Sequence, residues 1–96
     1  EVLETETFAK LYEASEKSEK EWIEKIKDQL LQNLDTGKVL RFDWFREKKF
    51  GNKRLFYLIN RKTNKALLVA FGTKKEQQEI INCIIINKER YLKVLD

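Results

Sequence analysis

Hydrophobic side chains recur at helical spacing through the first part of the chain, from Phe8 towards Gly37. Because positions i, i+3, i+4 and i+7 lie on one face of a helix, this pattern predicts amphipathic helices. Ser18 and Glu21 have the spacing of a capping box, which predicts the start of a second helix, and Gly37 is typical of a helix end. Residues 1–7 contain β-branched side chains and predict a short edge strand. The chain is therefore predicted to begin with an edge strand and a helical hairpin.

After Gly37 the apolar positions alternate with polar ones, as is typical of half-buried strands. The pattern predicts three strands separated by turns at Gly51-Asn52 and at residues 61–65. The three predicted strands cover residues 40–45, 54–59 and 66–71. The third is apolar on both faces, which suits a strand inside a sheet. Short turns between the strands predict an antiparallel meander.

The last part of the chain is predicted to be helical. Residues 80–86 are rich in isoleucine and would also fit a strand, but apolar side chains keep helical spacing from Ile81 to Leu95, and glutamate and glutamine precede them. The order of elements predicts an α+β fold, with the N-terminal strand and helical hairpin packed on the meander and a C-terminal helix. A chain of 96 residues is short enough to predict a single domain, 1–96.

Composition removes several classes of site. The chain has one cysteine, Cys83, and no histidine, so neither a disulfide framework nor a common metal site is predicted. We expect no metal and no cofactor. The longest apolar run is the six residues of Ala66–Phe71, far below the roughly 20 needed to cross a bilayer. No membrane association is predicted.

Charge is distributed very unevenly along the chain. Residues 1–36 carry 10 acidic and 5 basic side chains, whereas residues 37–96 carry 15 basic and 6 acidic ones. Residues 38–75 alone carry 12 basic and only two acidic side chains. Such a split indicates either a polyanionic partner for the basic part or a solvated basic surface. Charge alone leaves both readings open.

Three sequence features together resemble the RelE/ParE superfamily of small toxins from bacterial and archaeal toxin–antitoxin pairs. The helical hairpin precedes the sheet. Trp44-Phe45-Arg46-Glu47 followed by Lys53-Arg54-Leu55-Phe56-Tyr57 looks like the family's paired aromatic and Arg-x-x-Tyr strands. The apolar strand 67–73 ends in the basic pair Lys74-Lys75 and is followed by Glu79-Ile80. The resemblance is closest to RelE-like and HigB-like, phage-derived members.

This resemblance implies an endoribonuclease, a hydrolase that cleaves mRNA and so inhibits translation, acting either in the ribosome A site or on free mRNA. The missing histidine favours the ribosome-dependent form. It also implies a cytoplasmic protein that binds RNA and is held inactive by a cognate antitoxin. In such a reaction the ribose 2′-hydroxyl attacks the adjacent phosphate. A 2′,3′-cyclic phosphate and a free 5′-hydroxyl result.

The resemblance and the chemistry select five catalytic candidates: Arg54, Arg46, Lys75, Lys74 and Glu47. Arginine suits the scissile phosphate because its planar fork holds two oxygens and remains charged. We expect Arg46 and Arg54 to lie near each other across a strand pair, although both could instead be arginines paired with Asp43 or Glu47. The lysine pair could bind phosphate or supply the acid, or simply be solvated. Glu47 could act as the base, or only form a salt bridge.

Five further residues are candidates for binding the RNA chain: Lys48, Lys49, Lys53, Phe45 and Arg41. The lysines and Arg41 would contact backbone phosphates. Phe45 is predicted to lie on the same strand face as Arg41 and could stack on a base. Phe42 and Trp44 share the other face and are predicted to belong to the core.

The missing histidine leaves two alternatives to an mRNA-cleaving toxin, because active members of the family often use a histidine or tyrosine near the end of the chain. One alternative is a ParE-like, non-nucleolytic toxin that inhibits DNA gyrase. The other is a catalytically weak relative that only binds nucleic acid.

Overall fold

A five-stranded mixed sheet with helices on both faces organises the chain, in a computed structural model that describes all 96 residues. The strands are β1 (Val2–Glu4), β2 (Lys38–Val39), β3 (Phe45–Phe50), β4 (Lys53–Asn60) and β5 (Lys65–Thr73). The helices are α1 (Glu6–Glu13), α2 (Lys17–Gln32), α3 (Gln77–Ile86) and α4 (Lys88–Val94), and a 3₁₀ turn, Lys74–Glu76, precedes α3. None of the helices combines the length and apolarity that crossing a membrane requires.

The sheet has the strand order β1-β5-β4-β3-β2, in which β1 is parallel to β5 and the other neighbours are antiparallel. The predicted α+β fold is therefore confirmed, including the N-terminal edge strand, the helical hairpin, the meander and the helical C-terminal part. β5 lies inside the sheet, as its apolar sequence predicts. Gly51, with a φ of 59°, and Asn52 form the turn between β3 and β4.

The two faces of β4 belong to two separate cores, because successive side chains of a strand point to opposite faces. Leu55, Tyr57 and Ile59 pack beneath α1 and α2 on what we call the hairpin face. Phe56 and Leu58 pack beneath the C-terminal helices on what we call the C-terminal face. Every side chain in this part of the sheet can thus be assigned to one face.

The helix boundaries differ from the predicted ones. α2 is capped at Glu16, whose backbone N–H donates to the Glu19 carboxylate at 3.0 Å, and Ser18 lies inside the first turn. Glu16 and Glu19 have the same spacing as the predicted pair Ser18 and Glu21, two residues earlier in the chain, so either pair could cap the start of the helix. α2 ends at Gln32, well before Gly37.

The predicted strand 40–45 is wrong, because β3 begins only at Phe45. Residues 40–44 form a turn in which the Phe45 N–H donates to the Phe42 carbonyl at 2.9 Å. The rings of Phe42 and Trp44 stack with their centroids 4.9 Å apart and pack, partly buried, against the C-terminal core. Aromatic side chains two residues apart thus pack together in a turn as well as on one face of a strand.

The predicted C-terminal helix is confirmed as a helical segment but is divided in two. α3 ends at Ile86, and Asn87 separates it from α4. The Asn87 side-chain amide donates to the Cys83 carbonyl at 2.8 Å. Such a local side-chain bond competes with the helix backbone and accounts for the break.

A β-bulge interrupts the pairing of β4 with β5. Phe56 pairs with Ala70 and Tyr57 with Leu68, so Val69 is an extra residue on β5. Val69 and Ala70 consequently both pack against the C-terminal core. β1 pairs with β5 only as far as Leu68, immediately before the bulge.

Candidate functional site

Arg54 and Glu47 form an ion pair on the C-terminal face of the sheet. Arg54 lies two residues before Phe56 on β4, and Glu47 is paired with Phe56 across the strands. The Arg54 Nε atom lies 3.9 Å from the Glu47 Oε2 atom. The two residues are only 8% and 3% exposed, so both charges are held in a poorly hydrated environment.

The Arg54 guanidinium is incompletely hydrogen bonded. Its Nη1 donates weakly to the Lys53 carbonyl, at 3.4 Å, and its buried Nε has no hydrogen-bond acceptor. A buried donor without a partner destabilises a fold by roughly 1–3 kcal/mol. An oxyanion beside Arg54 would remove that penalty, which is the behaviour expected of an anion-binding arginine.

Gln77, the first residue of α3, reaches the same carboxylate. Its side-chain Nε2 donates to the Glu47 Oε2 atom at 3.5 Å. The turn before α3 is fixed by Thr73, whose backbone N–H and hydroxyl both donate to Glu76 Oε1, at 3.0 and 2.8 Å. The Thr73 bonds hold the pKa of Glu76 below its usual range. We refer to Arg54, Glu47 and Gln77 as the Arg54 cluster.

Sequence reasoning missed Gln77, although a signal for it exists. Thr73 and Glu76 have capping-box spacing, which places the start of a helix directly after β5 and hence Gln77 at the end of the sheet. Gly72 lies beside Arg54 in the ladder. A Cβ atom at Gly72 would come within 2.6 Å of the Ile80 side chain, so glycine permits α3 to approach the sheet this closely.

Lys74 and Lys75 are exposed and take part in no ion pair. The Lys74 backbone N–H donates to the Asn52 carbonyl at 3.0 Å, which fastens this turn to the β3–β4 turn. Both lysines line a groove with Asn52 and Thr73. They stay candidates for phosphate binding, next to the strand that carries Arg54.

Lys48 and Lys49 follow Glu47 on β3. Lys48 is paired with Leu55 and therefore lies half-buried on the hairpin face, away from Arg54. Both lysines line an open groove. Its other lining residues are Gly37, Lys38 and Glu47. Lys49 is paired with Arg54 across the strands and therefore shares its face. Arg41 is exposed, in the turn before β3, and its assignment to RNA stays a prediction.

The expected proximity of Arg46 and Arg54 is wrong. Arg46 is paired with Tyr57 and lies on the hairpin face, whereas Arg54 lies on the C-terminal face. Arg46 is 4% exposed, and its Nε donates to the Asp43 carbonyl at 3.0 Å. Its Nη2 lies 3.1 Å from the Asp43 carboxylate and 3.4 Å from that of Asp35.

Arg46 instead belongs to a network that fastens the segment before β3. Arg61 bonds to both Asp35 and Asp43, and its hydrogen bonds hold the pKa of each carboxyl below the usual range. Tyr57 donates its hydroxyl to the Thr36 carbonyl, and burial raises the pKa of Tyr57 to about 12. Arg46 is therefore neutralised, and its place in the catalytic set is not supported by this geometry.

Phe45 and Lys53 are also placed differently from the prediction. Phe45 is fully buried between Trp44 and Phe56, with ring centroids 5.8 and 6.4 Å away, so it is not available to stack on a base. Lys53 lies on the hairpin face and forms an ion pair with Glu19 of α2 at 2.6 Å. It is thus separated from Arg54 by the sheet.

The Lys53 pair makes a prediction about pH. The Lys53 hydrogen bond holds the pKa of Glu19 below its usual range, so the pair stabilises the fold above the unfolded carboxyl value of about 4.3 and is lost as pH falls through the lower folded value. Lys53→Met is expected to reduce the free energy of unfolding by about 1–2 kcal/mol at pH 7 and by less at pH 3. Urea unfolding at both pH values measures this.

Lys10→Met is the matched control, because Lys10 pairs with Glu6 at 3.9 Å on an exposed helix surface. Exposed pairs of this kind contribute little to stability. Equal losses for Lys53→Met at pH 7 and pH 3 would contradict the role of the Glu19 charge.

No group of three or more histidine, cysteine, aspartate or glutamate side chains is arranged to hold a metal ion. The chemistry that the Arg54 cluster offers is that of a buried guanidinium, a carboxylate and an amide donor beside exposed lysines. Such a set can bind a phosphodiester, accept a proton and donate one.

Solved structures of RelE from E. coli have this fold. The intact RelBE toxin–antitoxin complex superposes with a TM-score of 0.66 at 14% identity, covering 75% of this chain and 93% of that one. A RelE variant with two arginines replaced by alanine, bound to an antitoxin RelB peptide, gives 0.68 at 14%, covering 81% and 90%. Isolated RelE gives 0.64 at 14%, covering 86% and 96%. No protein-family model matches the sequence, and no curated protein matches it significantly.

Proposed function

We propose that this chain is the toxin of a type II toxin–antitoxin pair and that it cleaves mRNA as an endoribonuclease. The observation that carries the proposal is the buried Arg54–Glu47 pair, with an unsatisfied Arg54 Nε, at a basic edge of a RelE-like fold. A purely structural ion pair would be expected to satisfy the guanidinium more completely. The unpaired donor of Arg54 is available to an anionic ligand.

In the proposed reaction Arg54 binds the non-bridging oxygens of the scissile phosphate. When the phosphate binds the Arg54 guanidinium, Arg54 no longer pairs with Glu47. The Glu47 carboxylate then accepts the proton of the 2′-hydroxyl. The 2′-oxygen then bonds to phosphorus and the bond from phosphorus to the 5′-oxygen breaks. Lys74 or Lys75 donates a proton to the departing 5′-oxygen. The products are a 2′,3′-cyclic phosphate and a 5′-hydroxyl, and no cofactor is needed for this balance.

The proposal includes dependence on the ribosome. A lysine is normally protonated near neutral pH and is a weaker acid than histidine, so it assists a leaving group less effectively. Holding the mRNA in an A-site conformation with the 2′-oxygen in line would compensate, because orientation alone can lower a barrier by several kcal/mol. Free RNA would then be a poor substrate.

Mapping the 5′ ends of mRNA after incubation with translating ribosomes tests the proposal. New ends that carry a 5′-hydroxyl, opposite 2′,3′-cyclic phosphates, are expected at ribosome-occupied codons and at a much lower rate on free RNA. Intact mRNA would contradict the nuclease. Inhibited supercoiling by DNA gyrase with intact mRNA would support the ParE-like alternative instead.

The lysine pair makes a separate prediction about RNA affinity. Each phosphate contact to a single strand contributes roughly 0.7 to the slope of log affinity against log salt concentration. Replacing both Lys74 and Lys75 with glutamine should therefore lower the slope by about 1.4, measured with a 2′-deoxy RNA that cannot be cleaved. Lys17 and Lys25, both exposed on α2, are the matched control pair, and an equal change on replacing them would contradict a phosphate site.

A protein antitoxin is the proposed partner. RelE is seen in complex with RelB in the intact complex and with a RelB peptide. The exposed lysines Lys49, Lys74 and Lys75 suit an acidic antitoxin that covers the candidate site. Isothermal titration against the product of the adjoining gene should show tight, salt-sensitive binding and suppression of cleavage, and binding without suppression would place the antitoxin elsewhere.

A further inference from the structure

We infer that Gln77 is a positioning residue, which holds the Glu47 carboxylate in place for proton transfer when phosphate displaces it from Arg54. This inference rests on the proposed nuclease function and adds a residue to it. Arg54 and Gln77 both contact the same oxygen of Glu47. Glu47 Oε2 lies 3.9 Å from Arg54 Nε and accepts a long hydrogen bond from Gln77 Nε2 at 3.5 Å, which can shorten once Arg54 no longer shares the atom.

The Gln77 amide is not needed to build α3. The 3₁₀ turn that leads into α3 is already capped by the bonds between Thr73 and Glu76. Gln77 makes no other side-chain hydrogen bond, and its side chain is half-buried against the sheet rather than directed into solvent. A glutamine here therefore serves the Glu47 carboxylate and not the helix.

Losing Arg54 as a partner has a consequence for Glu47. Once the guanidinium turns to a phosphate, the buried carboxylate would lack a charged neighbour and could swing away from the 2′-hydroxyl. A neutral amide donor restrains the carboxylate without neutralising it as strongly as a cation does, so the carboxylate remains able to accept a proton. Gln77 thus fixes the geometry of Glu47 while Arg54 is occupied.

The chain offers a matched pair of variants, Gln77→Leu and Gln78→Leu. Gln78 lies next along α3, is exposed, and its amide donates to Asn82 at 3.0 Å away from the cluster. Gln77→Leu is expected to lower kcat roughly tenfold with little change in KM, since a hydrogen bond to a charged group corresponds to about that factor. Gln78→Leu should leave both constants unchanged.

A double-mutant cycle separates positioning from a general structural effect. In a Glu47→Gln background the carboxylate is gone, so Gln77→Leu should cause no further loss of kcat. An equal tenfold loss in both backgrounds would overturn the inference. So would a loss confined to KM.

An NMR measurement that needs no cleavage tests the contact between Gln77 and Glu47 separately from the nuclease proposal. The side-chain amide resonances of Gln77 should shift when Glu47 is replaced with glutamine, and those of Gln78 should not. When the uncleavable 2′-deoxy RNA occupies Arg54, the Gln77 resonances should stay distinct from those of the Glu47→Gln variant, as expected if the contact with the carboxylate is kept. Absence of cleavage with this NMR pattern would remove the proposed function but keep the contact, whereas unshifted Gln77 resonances would overturn the contact itself.

Discussion

Replacing Arg54 with alanine is expected to slow mRNA cleavage by roughly 100- to 1000-fold, because a preorganised donor to the developing phosphate charge is usually the largest catalytic contribution. Arg54 is the one site arginine whose guanidinium is buried on the C-terminal face and retains an unpaired donor. Single-turnover cleavage on programmed ribosomes measures the loss. Binding of the uncleavable RNA should weaken as well.

A second variant separates catalysis from folding, since Arg54→Ala leaves Glu47 as a buried carboxylate without its cation. Arg54→Lys keeps a positive charge beside Glu47 but loses the planar fork. It is expected to unfold near the wild-type temperature and still to cleave at least tenfold more slowly, whereas Arg90→Lys on α4 should cleave normally. Wild-type cleavage by Arg54→Lys would contradict two-point phosphate binding.

Replacing Phe45 with alanine is expected to reduce the free energy of unfolding by about 3–5 kcal/mol, because a fully buried ring between Trp44 and Phe56 would leave a cavity. In a domain of this size that corresponds to a fall in melting temperature of 12 °C or more, at about 4–8 °C per kcal/mol. Urea unfolding and a thermal scan measure the two quantities.

Phe45→Leu tests the stacking role directly. It keeps an apolar side chain in the core, so the protein should remain folded with a smaller loss of stability. Its affinity for the uncleavable RNA should equal that of the wild type. A loss of RNA affinity in a folded Phe45→Leu protein would restore Phe45 as a base-stacking residue. Val39→Ala, at an exposed position, is the control for stability.

The turn at Gly51-Asn52 shows how far sequence reasoning reaches. A two-residue turn pairs Phe50 with Lys53 and therefore Lys49 with Arg54, as observed. Arg46 is three residues from Lys49, an odd number, so strand alternation alone assigns it to the face opposite Arg54. The turn and the strand alternation together therefore place Arg46 and Arg54 on opposite faces of the sheet, contrary to their predicted proximity.

Other features depend on contacts between distant parts of the chain. The pairing of Lys53 with Glu19 joins β4 to α2, and the bonding of Arg61 to Asp35 joins the β4–β5 turn to the segment after α2. Local spacing carries no information about such pairs. The same holds for the approach of Gln77 to Glu47, which needs both the turn into α3 and the close packing that Gly72 allows.

The β-bulge at Val69 has a consequence for association between molecules. β1 covers the outer edge of β5 only up to Leu68, so the backbone from Val69 to Thr73 has no neighbouring strand on that side. An uncovered, regular edge is a template for pairing with another chain, and a bulge bends and twists it out of register. The extra residue therefore makes this edge of β5 a poorer template for strand pairing between two copies of the chain.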